Sequence, residues 1–294
     1  MTYERALPYN FMGIEGPFSR FDSASVLILP VPYEGTTCYG AGTRRGPKAI
    51  IDASRSLELY DEEIGEEIYR CGIHTLPEME PLVEGPAFMV ERISSVVEDL
   101  YQTGKLIVLL GGEHTISIGA VRGISRYTDL SVLQIDAHAD LRDSYQGSPY
   151  SHACVMRRVR EVCQGAVQVG IRSISAEEME FVVDKKLGDE IFFMKDIIGD
   201  EEWKENVIRK LGQNVYITID LDGLDPAIMP AVGTPEPGGL GWYEVLSLLK
   251  EVAGARKVVG FDVVELAPVP GLIAPNVLAA RLIYKLIGYI LLRG

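Results

Sequence analysis

In LQIDAHADLRDSY, residues 133–145, Asp136, His138 and Asp140 stand two residues apart directly after an apolar run. If a strand continues through them, its period of two turns all three side chains to one face, so two carboxylates and an imidazole converge. The same kind of ending recurs. GGEHT follows KLIVLL and brings His114; DLDGLDP follows NVYITI and brings Asp220 and Asp222; Glu265 follows KVVGFDVV. An isolated histidine is usually a satisfied core residue and an isolated Asp-x-Asp usually a turn or cap. Their joint occurrence after apolar runs points to a site. Six ligands, His114, Asp136, His138, Asp140, Asp220 and Asp222, are too many for one zinc and suit two divalent ions bridged by carboxylates. The donor set is rich in oxygen and free of thiolate, which predicts Mn²⁺ rather than structural Zn²⁺. Without cations, four carboxylates buried together would have to protonate or carry a large desolvation cost. Two ions about 3.5–4 Å apart turn a shared water into a nucleophile, so the expected reaction is metal-assisted hydrolysis. Four carboxylates balance two such ions. A bridging hydroxide and an ionised Glu265 then leave the pocket negative, which favours a cationic substrate.

These residues need elements that carry them to one edge. The runs at 25–31, 105–110, 130–136, 166–171, 190–194, 214–220 and 257–264 are short and nearly continuously apolar, as strands covered on both faces are. Segments of helical period lie between them at 88–101, 175–186 and 242–253. The alternation predicts an α/β fold with a parallel sheet between helix layers, and chemistry in the loops at the strands' carboxyl ends. At 294 residues, 47% hydrophobic and 24% charged, with no linker, repeat or low-complexity tract, the chain is expected to form a single domain over residues 1–294.

A formal charge of −14 argues against nucleic acid and anionic membranes as partners. The start, MTYERALPYNF, lacks a basic region followed by an apolar one, so no secretory signal and a cytosolic location are expected. The apolar stretch 274–292 carries Arg281 and Lys285, which suits a core or interface helix rather than a membrane span. Cys38, Cys71, Cys154 and Cys163 form no metal or redox spacing and are read as structural thiols. In YGAGTRRG, Gly40, Gly42 and Gly46 miss the dinucleotide-binding spacing. Pro47 suits the first turn of a helix, Arg44 and Arg45 are read as solvated or at a subunit contact, and the acidic stretch 61–67 as a solvated surface.

Taken together and in order, YGAGTRRGPKAI (39–50), GGEH (111–114), DAHAD (136–140), Ser151-His152, DLDGLDPAIMPAVGTPEPGG (220–239) and DVVELAP (262–268) resemble the signatures of the ureohydrolase (arginase/agmatinase) family. The resemblance implies a three-layer α/β/α fold with an eight-stranded parallel sheet, two Mn²⁺ per chain and a homo-oligomer, a trimer or hexamer. By the same resemblance, His114 and Asp140 with two of the other aspartates hold one ion and His138 with the rest holds the second. Asp140 also handles the proton of the bridging hydroxide, Glu265 binds the guanidinium, Thr234 lines its pocket, and His152 carries a proton to the leaving amine. Around His152 this chain reads SHACVM where many agmatinases read His-Gly-Thr. Arginases usually carry an asparagine where this chain has Arg142. That difference favours a decarboxylated substrate: agmatine, cleaved to putrescine and urea. Arginase, guanidinobutyrase and formiminoglutamase are the alternatives, since Arg142 could pair with a carboxylate. Outside the enzyme class stands a non-catalytic metal-binding protein, against which Asp140, His152 and Glu265 all argue.

Overall fold

The computed structural model describes residues 7–292. Most of the stretch read for a signal, residues 1–6, lies outside them. Eight strands form one parallel sheet: β1 (Val26–Val31), β2 (Ile73–Thr75), β3 (Leu106–Gly111), β4 (Ser131–Ile135), β5 (Gly165–Ile171), β6 (Ile191–Phe193), β7 (Asn214–Asp220) and β8 (Lys257–Val264), in the spatial order β2-β1-β3-β8-β7-β4-β5-β6. The seven strands expected from apolar runs are all present. The eighth, β2, is only three residues long and contains His74 and Thr75, so it carried no apolar run to read.

Continuous hydrophobicity in these strands follows from burial on both faces. Along β1, Val26 and Ile28 enter one core while Leu27 and Leu29 enter the other; along β3, Val108 and Leu110 oppose Ile107 and Leu109. Burying each such side chain stabilises the fold by about 1.5–3 kcal/mol. Helices α2 (Pro86–Tyr101), α3 (Ile116–Ser125), α4 (Val155–Val159) and α5 (Ala176–Lys185) cover one face. The other is covered by α1 (Gly46–Ser54), α6 (Met194–Ile197), α7 (Trp203–Lys210), α8 (Trp242–Ala255) and α9 (Ala274–Leu291). The fold is the expected three-layer α/β/α sandwich. Pro47 lies in the first turn of α1, where its missing N–H costs nothing.

The apolar C-terminal segment is α9, whose Leu282, Ile283, Leu286 and Ile287 are buried in the core. Its Lys285 corrects one expectation. The acidic stretch 61–67 is not simply solvated: Asp61 is fully buried, with its carboxylate 3.0 Å from Lys285 Nζ, and Glu63 lies 3.2 Å from the same ammonium. A cation on a distant helix draws this acidic turn inward, and nothing within the turn itself signals that.

Candidate active site

β3, β8, β7 and β4 are neighbours at the centre of the sheet, and the chemistry-bearing residues follow directly on their carboxyl ends. His114 comes after β3, Glu265 after β8, Asp220 ends β7 with Asp222 in the turn beyond, and Asp136 follows β4. Close approach of chain makes this possible at Gly112. A Cβ there would lie 1.9 Å from the Tyr33 carbonyl oxygen, so only glycine lets the GGEH turn pass beneath the loop after β1.

All six predicted ligands come together. His114 Nδ1 lies 3.1 Å from Asp136 Oδ2, 3.2 Å from Asp140 Oδ2 and 3.3 Å from Asp220 Oδ2. His138 Nδ1 lies 2.9 Å from Asp222 Oδ2 and 3.6 Å from Asp136 Oδ1. Two groups that could each hold a metal ion result, His114–Asp136–Asp140 and His138–Asp136–Asp222, with Asp136 turning one oxygen to each histidine. The route to this convergence differs from the expected strand pleat. β4 stops at Ile135, residues 136–140 run as a loop whose His138 bridges to Ser173, and Asp140 sits at φ 52°. Glu265 likewise has φ 65°. Left-handed backbone at two non-glycine residues is a cost of order 1–3 kcal/mol each, which the packed surroundings must offset.

Hydrogen-bond accounting shows that the first group suits a cation. Thr218 donates its one hydroxyl hydrogen to Asp262 Oδ1 at 2.6 Å, so its contact of 2.9 Å with His114 Nε2 is accepted from an N–H. Nδ1 is then the nitrogen turned to the cluster, buried and faced by three carboxylate oxygens; burial disfavours a charged ring there, but the carboxylates outweigh it and draw the imidazole pKa well above its ordinary value. Three carboxylates gathered on one nitrogen call for positive charge between them, a proton on Nδ1 or a bound metal cation in its place. Burial, followed by the charge of Asp136, raises the carboxyl pKa of Asp140 to about 7 and raises that of Asp222. Burial, followed by the charges of Asp222 and Asp136, does the same to Asp220. A cluster of this kind is relieved by divalent cations.

Supporting contacts fix each ligand. Gln134 Nε2 donates to Asp136 Oδ2 at 2.6 Å, and Gln168 donates to Gln134 behind it. Backbone N–H groups of Ala137 and Asp222 donate to Asp222 Oδ1 and Asp220 Oδ1. Buried Glu178 closes a capping box with Ser175 at the start of α5 and also accepts the Leu141 N–H, anchoring the residue next to Asp140. Glu265 Oε1 accepts the His114 N–H at 2.6 Å. Burial first, then the charge of Glu113, pushes the Glu265 pKa well up, so a cationic partner would be strongly favoured beside it.

Above the cluster opens a cleft of about 670 Å³ including its mouth, with Thr234, Glu265, His152, Tyr145, Arg142 and Tyr39 on its walls. Thr234 Oγ1 donates to Asp222 Oδ2 at 3.2 Å. Tyr145 meets the His152 ring edge-on at 5.9 Å, and the Arg142 guanidinium lies over the Tyr145 ring at 5.2 Å. Burial and then the charge of His114 hold the His152 pKa at about 4, so its ring is neutral at rest and free to accept a proton. Cys154 beside it is buried, and burial raises its thiol to about 11, which leaves it a structural thiol rather than a nucleophile.

Sequence reasoning passed over Glu113, Thr36, Thr218, Asp262 and Arg172. Asp262 was signalled by a carboxylate inside an otherwise apolar strand, and Thr218 by sharing a strand face with Asp220. Thr36 and Arg172 carried no local signal.

The arginase family model matches residues 24–288. An N(1)-aminopropylagmatine ureohydrolase of Synechocystis sp. is 40% identical over 96% of this chain and 94% of its own length. An agmatinase of Pyrococcus horikoshii is 34% identical over 95% of this chain and 97% of its own. The crystal structure of agmatine ureohydrolase of Thermoplasma volcanium superposes with a TM-score of 0.85 at 33% identity, covering 96% of this chain and 94% of that one.

Proposed function

The chain belongs to the arginase family as an agmatinase-type ureohydrolase acting on guanidino compounds, and from that premise we propose that its substrate is a decarboxylated guanidinobutyl amine. Agmatine is the shortest such compound, and N(1)-aminopropylagmatine, named for the Synechocystis relative, carries the same guanidinobutyl core. The observation behind this reading is the charge of the cleft. Carboxylates of Glu265, Asp140, Asp220 and Asp222 face into it, and the one arginine among its described lining residues, Arg142, is engaged with the Tyr145 ring, with no lysine beside it. A substrate carboxylate would meet a negative wall, whereas a guanidinium meets Glu265.

Bound at the six ligands, two divalent ions would supply Lewis acidity and an activated water; the oxygen-rich donor set favours Mn²⁺. The chain's own residues do the rest. Glu265 holds the guanidinium nitrogens and sets its carbon over the ligand cluster. Thr234 and Asp222 fix the neighbouring wall. Asp140 takes the proton released as water oxygen bonds to the guanidinium carbon. His152 Nε2 takes up a proton from solvent through the cleft and delivers it to the alkyl nitrogen as its bond to that carbon breaks, while the remaining hydroxyl proton on the carbon's new oxygen is lost to solvent, giving urea and the free amine. The test is urea release from agmatine, N(1)-aminopropylagmatine, arginine and guanidinobutyrate in parallel after Mn²⁺ loading. The two decarboxylated amines should exceed the acids in kcat/KM by about tenfold or more, with N(1)-aminopropylagmatine at least equal to agmatine. A clear win for arginine or guanidinobutyrate would overturn the reading and make Arg142 a carboxylate partner.

A further inference from the structure

We infer that Glu113 acts through Thr36 to hold His152 in a single tautomer and orientation, with Nδ1 protonated and Nε2 presented to the substrate. The inference rests on the reading of His152 as proton carrier given above, and it assigns roles to two residues outside the predicted site.

Glu113 is fully buried in the turn after β3. One carboxylate oxygen accepts the N–H groups of Gly35 and Thr36, each at 2.7 Å, and the other accepts the Thr36 hydroxyl at 2.7 Å. That donation uses the only hydroxyl hydrogen Thr36 has. Its nearer remaining contacts, 3.0 Å to the His152 backbone N and 3.1 Å to His152 Nδ1, must therefore be accepted by its two lone pairs, while the Thr115 hydroxyl, 3.5 Å away, donates to the Tyr150 carbonyl. Nδ1 carries the hydrogen, and Nε2 is the ring nitrogen without a partner among the described residues, on a side chain that lines the cleft. Turning the ring over would put a carbon against Thr36 and lose that bond, and Tyr145 packs edge-on against one flank. Ser151 Oγ, 3.3 Å from Nδ1, can share the same hydrogen.

The arrangement repeats, with the nitrogens exchanged, the order seen at Asp262, Thr218 and His114. There a carboxylate-bound threonine accepts Nε2–H and turns Nδ1 toward the aspartates; here it accepts Nδ1–H and turns Nε2 toward the cleft. The loop after β1 and the turn after β3, adjacent strands in the sheet, are thus tied together at the residue that aims the imidazole.

Thr36 is the link to test, because Thr36→Val keeps the shape and removes the acceptor while Thr36→Ser restores it. With metal content equal in all forms, Thr36→Val should lower kcat about tenfold or more with KM within about threefold, and Thr36→Ser should stay within about threefold of the unaltered enzyme. In a His152→Ala background, Thr36→Val should cost less than about twofold, since its effect runs through the imidazole. The tautomer itself can be read by NMR of ¹⁵N-histidine-labelled protein loaded with a diamagnetic divalent ion. Only four histidines are present, and His152→Ala identifies the relevant signals. The spectrum should show Nδ1–H in the unaltered and Thr36→Ser proteins and a mixture in Thr36→Val. An Nε2–H tautomer in the unaltered protein, an unchanged spectrum in Thr36→Val, or an equal kcat loss in both backgrounds would overturn the inference. Full kcat in His152→Ala alone would instead remove the proton-carrier role, with the tautomer spectrum still deciding the positioning claim.

Discussion

Asp220 lies against His114 and accepts the backbone N–H of Asp222, so it belongs to both the ligand cluster and the turn that shapes it. Asp220→Asn keeps the volume and removes the charge. It should weaken binding of at least one ion and abolish most turnover; metal analysis alongside urea release checks this, and two tightly held ions with normal kcat would refute it. Thr218 makes no predicted contact with an ion yet sets which nitrogen of His114 turns to the cluster. Thr218→Val should lower metal affinity by about 10–100-fold while the fold stays intact, with Thr218→Ser close to normal, as read by metal titration of the apoprotein.

Among the elements, the segment 222–237 after β7 carries Asp222, Thr234 and Glu236, and it is held by one side chain at the end of β5. Arg172 donates to the carbonyls of Asp222, Gly223, Leu224, Glu236 and Pro237. A lysine has no fork to reach them together. Arg172→Lys should therefore raise amide hydrogen exchange across 222–237 and lower kcat/KM by about tenfold, a loss of about 1.4 kcal/mol. An unchanged exchange pattern would show that the segment is held by something else. In the helix layer that contains α9, Lys285 neutralises the buried Asp61. Lys285→Met leaves that carboxylate uncompensated and should cost about 3–5 kcal/mol in denaturant unfolding; a loss below about 1 kcal/mol would mean that Asp61 simply protonates.

For the whole molecule, the same cluster contributes to acid sensitivity. Burial pushes the Glu63 carboxyl up, but hydrogen bonds from Lys250, Tyr289 and Lys285 outweigh it and bring the pKa from 4.5 to about 2. A carboxyl with a depressed folded value stabilises fully above its unfolded pKa, and that contribution is lost as pH falls from about 4.5 to 2. Glu63→Gln should therefore have a flatter dependence of Tm on pH across that window, and an unaltered slope would exclude Glu63 as a contributor. At the level of assembly, the expectation of a trimer or hexamer predicts a light-scattering mass three or six times that of the chain. A monomer carrying full activity would exclude any need for assembly.

Seven strands, both helix layers and the convergence of six histidine and aspartate side chains at one sheet edge were legible in the chain itself, because a parallel strand buried on both faces must be apolar throughout and its polar residues can stand only where it ends. Period and punctuation are local properties, so the local sequence records them. Asp140 shows where that record stops. Its alternation with Asp136 and His138 suggested a pleat, yet it reaches His114 through a left-handed turn after the strand has ended. Thr36, Arg172 and the burial of Asp61 were decided by tertiary structure alone. Each acts through a partner far away in the chain, Glu113 and His152 for Thr36, residues 222–237 for Arg172 and Lys285 for Asp61. A hydroxyl, a guanidinium or a carboxylate takes its role from the groups that desolvate and pair with it, and sheet order chooses those groups.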